Sequence, residues 1–328
     1  MRAIRDELIF GLTCLISALA LSVLAPADAH AAGYPERTVT IVVPYPAGGV
    51  MDLTARALAD GLTKHWQVPV VVINRTGAGA TIGGNAVATA APDGYTLGFL
   101  PVAAAIPEVF RFAYSAPYSS SDIKGIANIA ATAMSFAVPA DSPLKSMKDV
   151  IALARKQRGL LIGTPGQQTL PSMIMVLMSR KEGVKLEDVP FGGDATTLPA
   201  LLGGHIPVGA IDYSAMRPSV EAGKIRVLAV CAEKRLDLAP DVPTVIELGY
   251  EMPYVSSLGL FAPKGMPEEL VKTIEQVAAQ VTKEPEFVNR MKQISIQVVY
   301  KDSTTYRKQL ARDHDNLEAF FKEQGLLK

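Results

Sequence analysis

Short apolar runs alternate with amphipathic segments along most of this chain, and glycine and proline mark the turns between them. TVTIVV (Thr38 to Val43) leads through PYPAGG into a helical stretch from about Leu53 to His65. VPVVVI (Val68 to Ile73) gives way to a glycine-rich turn and a helix through GGNAVATAA. TLGFL, IANIAATAMSFAVPA, LLIGT, LEDVPF, VGAID and IRVLAV read as further extended segments. Helices are expected at KSMKDVIALARKQ (Lys145 to Gln157, capped by Ser146), around SMIMVLMSRK and near TTLPALLGG. The extended segments are short and apolar and do not alternate, as in strands covered on both faces. The pattern predicts an α/β chain with largely parallel sheets.

Past LGLFAPKGMP (Leu258 to Pro267) the character changes to long polar helices, interrupted by one short strand, IQVVY. Two places suit a crossing between domains, one near Met134 to Pro139 and one near Val255 to Gly265. The 328 residues are enough for about two domains.

Apolar residues make up 49% of the chain and charged residues 20%, which is a globular composition. Lys+Arg and Asp+Glu both number 32, so nothing favours a nucleic-acid or anionic-membrane partner. The N-terminus carries Arg2 and Arg5, an apolar run from Leu8 to Leu24 and the small-residue site Ala29-His30-Ala31. Residues 1–31 therefore read as a secretory signal peptide and the protein as exported to the periplasm. A retained membrane anchor is the alternative, and the cleavage motif speaks against it. Cleavage would remove two arginines and three acids, leaving 30 basic and 29 acidic residues. Of the two cysteines, Cys14 lies in that apolar run. Cys231 would then stand alone, with no internal disulfide to form, and reads as a buried strand residue.

The turn VPYPAGGVMD (Val43 to Asp52) follows a strand and opens onto a helix. Such a turn presents unpaired N–H groups at a positive helix end, which suits an anion. Gly48 and Gly49 would let a ligand approach the main chain, and Asp52 would cap the helix start. Tyr45 and Ala47 share the turn. An ordinary βα turn with a structural cap is the plain alternative. No Lys or Arg sits there, and a nucleotide P-loop is absent.

LIGTPGQQTLPSM is a second turn of this kind, with Thr164, Gly166, Gln167, Gln168 and Thr169 as uncharged donors. A third precedes another helix at Phe191, Gly192 and Gly193. Turns converging from strand ends are the arrangement expected at the carboxyl edges of parallel sheets, and each could equally be a plain loop. Asp212, ending VGAID, is either a polar site group or a turn former. NRTGAGATIGG resembles a dinucleotide fingerprint but has the wrong glycine spacing. There is no HExxH, no GxSxG and no pair of cysteines spaced for a metal site, and no nucleophile has an evident base. No cofactor and no metal are expected.

The ordered set YPERTVTIVVPYPAGGVMD, VVINRTGAGATIGGNAVATAAPDGYTL, VPFGGDATTLPALLGG, EAGKIRVLAV, DVPTVIELGY and GLFAPKGMP resembles the Bug-type receptors of tripartite tricarboxylate transporters, from Tyr34 almost to the C-terminus. The resemblance implies a two-domain periplasmic-binding-protein fold with two crossings and a ligand cleft between the domains. Residues 32–135 and 257–328 would form domain one, and 136–256 domain two. It implies a monomer that captures a small carboxylate, through the turns at Tyr45–Asp52 and Thr164–Thr169, and delivers it to membrane permease subunits. A sensor role is the first alternative and an exported enzyme the least favoured. Relatives usually carry S-S-G-x-G-S-x-x-H at the second turn, where this chain has Gln168 for a glycine and Ser172 for the histidine. They also often carry a tryptophan just before GLFAP, where Ser257 and Leu258 stand here. Ligand identity therefore does not carry over.

Overall fold

β1 (Val39–Val43) is the strand on which the first sheet is organised. All its residues but Thr40 are buried, and it is flanked on both sides by parallel partners, β2 (Val70–Asn74) and β3 (Thr96–Pro101). The computed structural model describes residues 33–113, 115–165, 169–191 and 193–327. Residues 1–31, read as a signal peptide, lie outside the described residues. Arg37–Lys328 forms one structural unit.

Two helices follow the first two strands, α1 (Val50–Trp66) and α2 (Thr81–Ala88). β4 (Ile123–Ala131) and β5 (Met134–Pro139) come next, then α3 (Met147–Gln157), β6 (Leu160–Thr164), α4 (Leu170–Glu182), β7 (Leu186–Pro190) and α5 (Asp194–Leu202). β8 (Val208–Asp212), α6 (Tyr213–Glu221) and β9 (Ile225–Val230) complete the middle of the chain. β10 (Leu258–Pro263), α7 (Glu268–Val281), α8 (Pro285–Gln293), β11 (Gln297–Lys301) and α9 (Ser303–Glu323) end it.

The first sheet has the order β11-β4-β10-β3-β1-β2 and the second β7-β6-β8-β5-β9. The chain passes between them twice, from β4 to β5 across Thr132 and Ala133, and from β9 to β10 across residues 231–257. Both sheets are mixed rather than largely parallel. β1, β2 and β3 run together, as do β6, β7 and β8. The strands that carry the chain between the sheets run antiparallel to their neighbours: β10 against β3 and β4, and β5 against β8 and β9. A strand that changes sheet has no helical crossover to return it in the same direction, so it pairs antiparallel.

Each sheet has its own core. Phe136, Val150, Ile162, Ile174 and Leu228 centre the second. Val42, Leu100, Phe261 and the fully buried Tyr306 belong to the first. Gly259 on β10 is required there, because a Cβ would lie 2.2 Å from the Tyr306 hydroxyl. Cys231, directly after β9, is a buried free thiol, as expected, and burial pushes its pKa well up. Ser146 caps α3 by accepting the Asp149 N–H. Among the described residues, no helix is long and apolar enough to cross a membrane.

Candidate functional site

The β1–α1 turn is held in shape by one buried carboxylate. Asp52 sits in the first turn of α1, and Gly49 occupies the N-cap position with no side-chain cap. Rather than capping the helix, the Asp52 carboxylate reaches back to accept the Gly48 N–H at 2.9 Å. It also accepts two bonds from Arg56, at 2.9 and 3.0 Å, and one from Asn74 Nδ2 at 2.8 Å. Asn74 Nδ2 also donates to the Tyr45 carbonyl at 2.9 Å, tying the end of β2 to the turn. Burial pushes the Asp52 carboxyl up, but the bonds from Arg56, Gly48 and Asn74 outweigh it and hold it at about 2.

Of the two glycines, only Gly48 needs to be one. Its φ is +82°, a left-handed conformation that costs other residues strain. Gly49 has φ −74° and ψ 164°, open to any residue. A Cβ there would meet only the Pro46 carbonyl oxygen, at 3.5 Å. What Gly49 provides is access to the helix start.

Beside this turn lies a cavity of about 490 Å³. Its walls are Tyr45, Pro46, Gly49 and the first residues of α1, then Pro101 at the end of β3 with Val102 and Ala103, and finally Thr132, Tyr254, Ser256 and Ser257 from the two connections between the sheets, with Leu258 at the start of β10. Among the described residues, the lining contains no charged side chain. Its polar groups are backbone N–H groups at the α1 start and the hydroxyls of Tyr45, Thr132, Tyr254, Ser256 and Ser257. Thr132 and Ser256 hydrogen-bond to each other at 2.6 Å, and Ser257 bonds the Tyr306 hydroxyl at 3.2 Å. Carboxylate recognition at a helix start requires N–H donors, which the α1 start supplies, and the acid in its first turn, Asp52, is paired with Arg56.

Two other cavities suit an anion less. One of about 590 Å³ is lined by Glu233, Glu251 and Glu323 with a single cation, Arg312. One of about 450 Å³ is lined by Lys124, Lys264, Arg307 and His314; Lys124 and Arg307 pair with Glu268, and His314 lies against Glu108 and Asp315.

Of the expected residues from the middle of the chain, Thr164, Thr169, Phe191 and Asp212 are described, and they do not line the 490 Å³ cavity. The buried Thr164 hydroxyl donates to Asp188 at 2.5 Å, and its carbonyl accepts the Phe191 N–H at 2.9 Å. Thr169 is the N-cap of α4. Asp212 caps α6 by accepting the Ser214 N–H at 2.9 Å, and its own N–H donates to Asp194. Burial pushes Asp194 up to about 6, with the Asp212 carboxylate adding to it, and burial pushes Asp212 up as well. Gly166, Gln168 and Gly192 lie outside the described residues. Ala47 is exposed at the tip of the first turn. Sequence reasoning missed Asn74, Thr132, Tyr254 and Ser256. The hydroxyl residues Ser256 and Ser257 just before LGLFAP were the available signal.

The two mixed sheets, joined by two connections, have the fold of periplasmic solute-binding proteins of the TctC type. A Polaromonas TctC solute-binding protein superposes with a TM-score of 0.79 at 27% identity, covering 88% of this chain and 99% of that one. A Rhodopseudomonas palustris protein, Rpa4515, solved with adipate, superposes with a TM-score of 0.73 at 27% identity, covering 89% and 98%. The family model described as tripartite tricarboxylate transporter family receptor matches residues 54–326, and the chain belongs to that family. A Cupriavidus necator relative, the UPF0065 protein in the gbd 5′ region, is 34% identical over 322 residues, covering 97% of this chain and 96% of its own. Receptors of this family are periplasmic solute-binding proteins rather than enzymes.

Proposed function

We propose that this receptor captures a small carboxylate in the 490 Å³ cavity and passes it to a membrane permease. The observation that carries this is the unobstructed start of α1, held open by Asp52 and Asn74 against an uncharged wall. The N–H groups of the first helical turn would bind the carboxylate oxygens with charge-assisted bonds, stronger away from water. The adipate of the R. palustris protein supports the ligand class. The turns carrying Gly166, Gln168 and Gly192 would approach from the second sheet as the two sheets close over the ligand. Thr132–Ala133 and residues 231–257 would flex, with the Thr132–Ser256 bond keeping the two connections in step. Domain one would then comprise the first sheet and domain two the second. Calorimetry against a panel of small carboxylates tests this. A bound ligand at a hundredfold excess over Kd adds about 2.7 kcal/mol of stability, and small-angle scattering should register compaction. Failure of every carboxylate to bind folded protein would contradict the reading.

A further inference from the structure

The strands that carry the chain between the sheets separate a cavity side from a rear side. In the first sheet's order, β11-β4-β10-β3-β1-β2, the crossing strands are β4 and β10. The 490 Å³ cavity lies to one side of them, against the ends of β1 and β3, and β11 lies to the other. Thr132 and Ser256 of the two connections border both this cavity and another of about 310 Å³ that β11 walls on the rear.

Polar bonds span the rear. Lys301, ending β11, donates to Glu233 at 2.6 Å and to the buried Gln309 at 2.6 Å. Gln297, which begins β11, donates to the Arg235 carbonyl at 3.3 Å. Arg217 of α6 donates to the Lys292 carbonyl at 2.7 Å and to Ser295 at 3.1 Å, just ahead of β11. Glu233 and Arg235 travel with the second sheet, because the segment they open folds back onto its cores through Leu236 and Val245. On the cavity side, Met173 of α4 clusters with Val102 and Phe110, and Arg180 of that helix pairs with Glu323 of α9.

A rotation about the crossing strands that brings the second sheet onto the cavity parts the rear. Resting on the closure reading above, we propose that the bonds of Lys301 to Glu233 and of Arg217 to Lys292 and Ser295 form a rear latch that opposes closure, so that residues outside the cavity set how tightly the ligand is held. A ligand that favours the closed form binds more weakly the smaller the closed fraction is. The latch lowers that fraction. The Gln309 bond holds the Lys301 ammonium in place, which reduces the entropy lost in pairing it with Glu233. Loosening the latch therefore tightens binding, the reverse of what loss of a purely structural bond does to a site.

Calorimetry of the full receptor with adipate, malate and benzoate, together with small-angle scattering of ligand-free protein, tests this. Glu233 and Arg217 are partly exposed, so Glu233→Ala and Arg217→Met should keep the fold, read by melting. Each should bind whichever of the three the parent binds several-fold tighter, and the double variant should be more compact than the parent without ligand. Glu233→Cys with Lys301→Cys should also bind tighter than the parent while its thiols are free. A short bismaleimide joining those thiols across the rear should weaken binding below the parent's; Cys231 is buried away from the reagent. Variants that bind no tighter than the parent would overturn the latch while leaving the carboxylate reading intact. Binding of none of the three by folded parent would overturn the carboxylate reading, and a double variant no more compact than the parent would then overturn the latch as well.

Discussion

The Asp52 carboxylate and the Gly48 N–H, 2.9 Å apart, lock the turn that opens α1. Because Arg56 and Asn74 share that carboxylate, its loss releases four donor groups on three residues at once. Asp52 is depressed to about 2 from an ordinary 3.8. It therefore contributes stability that is fully present above pH 4 and is lost as pH falls through about 2. The shift corresponds to about 2 kcal/mol. Chemical denaturation of Asp52→Asn should show a loss of that order at pH 7 and a flatter acid limb than the parent. A variant with the parent's acid limb would show that the carboxylate is not ionically engaged.

Asp194 works in the opposite sense. Burial raises it to about 6, so the folded state holds a proton that the unfolded chain releases nearer 3.8. Its contribution is fully present below about pH 4 and is lost as pH rises through 6. Asp194→Asn should remove this slope and raise stability at pH 7 relative to pH 5, read by thermal melts across that range. An unchanged slope would mean that Asp194 ionises normally.

The two adjacent glycines should respond differently. Gly48→Ala forces a left-handed alanine and should cost about 1 kcal/mol in unfolding free energy. Gly49→Val fits its backbone but replaces a tolerated N-cap residue with a poor one, costing about 1 kcal/mol or less. It also puts a branched side chain at the cavity wall, so carboxylate affinity should fall further than stability. Equal affinity in Gly49→Val and the parent would remove the turn from the site.

Cys231 should be a reporter of unfolding. Its thiol is buried and its pKa raised, so a thiol reagent should label it only when the second sheet opens. Rapid labelling under native conditions would place it at an accessible surface.

Much of the order of strands and helices was legible, because β1, β6 and β9 are short, largely apolar runs and Ser146 is a recognisable cap. Strand direction was not. Whether β5 runs with or against β8 depends on where the chain changes sheet, and local pattern is silent on that. The β1–α1 turn was legible from its glycines and following helix, but the role of Asp52 was not. Its partner Asn74 lies 22 residues on and meets it only when β2 pairs with β1. Tyr254 and Thr132 escaped notice for a related reason. They lie in segments that read as connections, and only the return of the chain to β10 brings them to the wall beside Tyr45.

The most direct test of the binding site is a crystal structure of the receptor with a carboxylate that calorimetry shows to bind. The account predicts carboxylate oxygens within hydrogen-bonding distance of the backbone N–H groups at Gly49 to Met51, in the cavity walled by Tyr45, Thr132 and Tyr254. A carboxylate seated against Lys124 and Arg307 instead, with the α1 start unliganded, would contradict it.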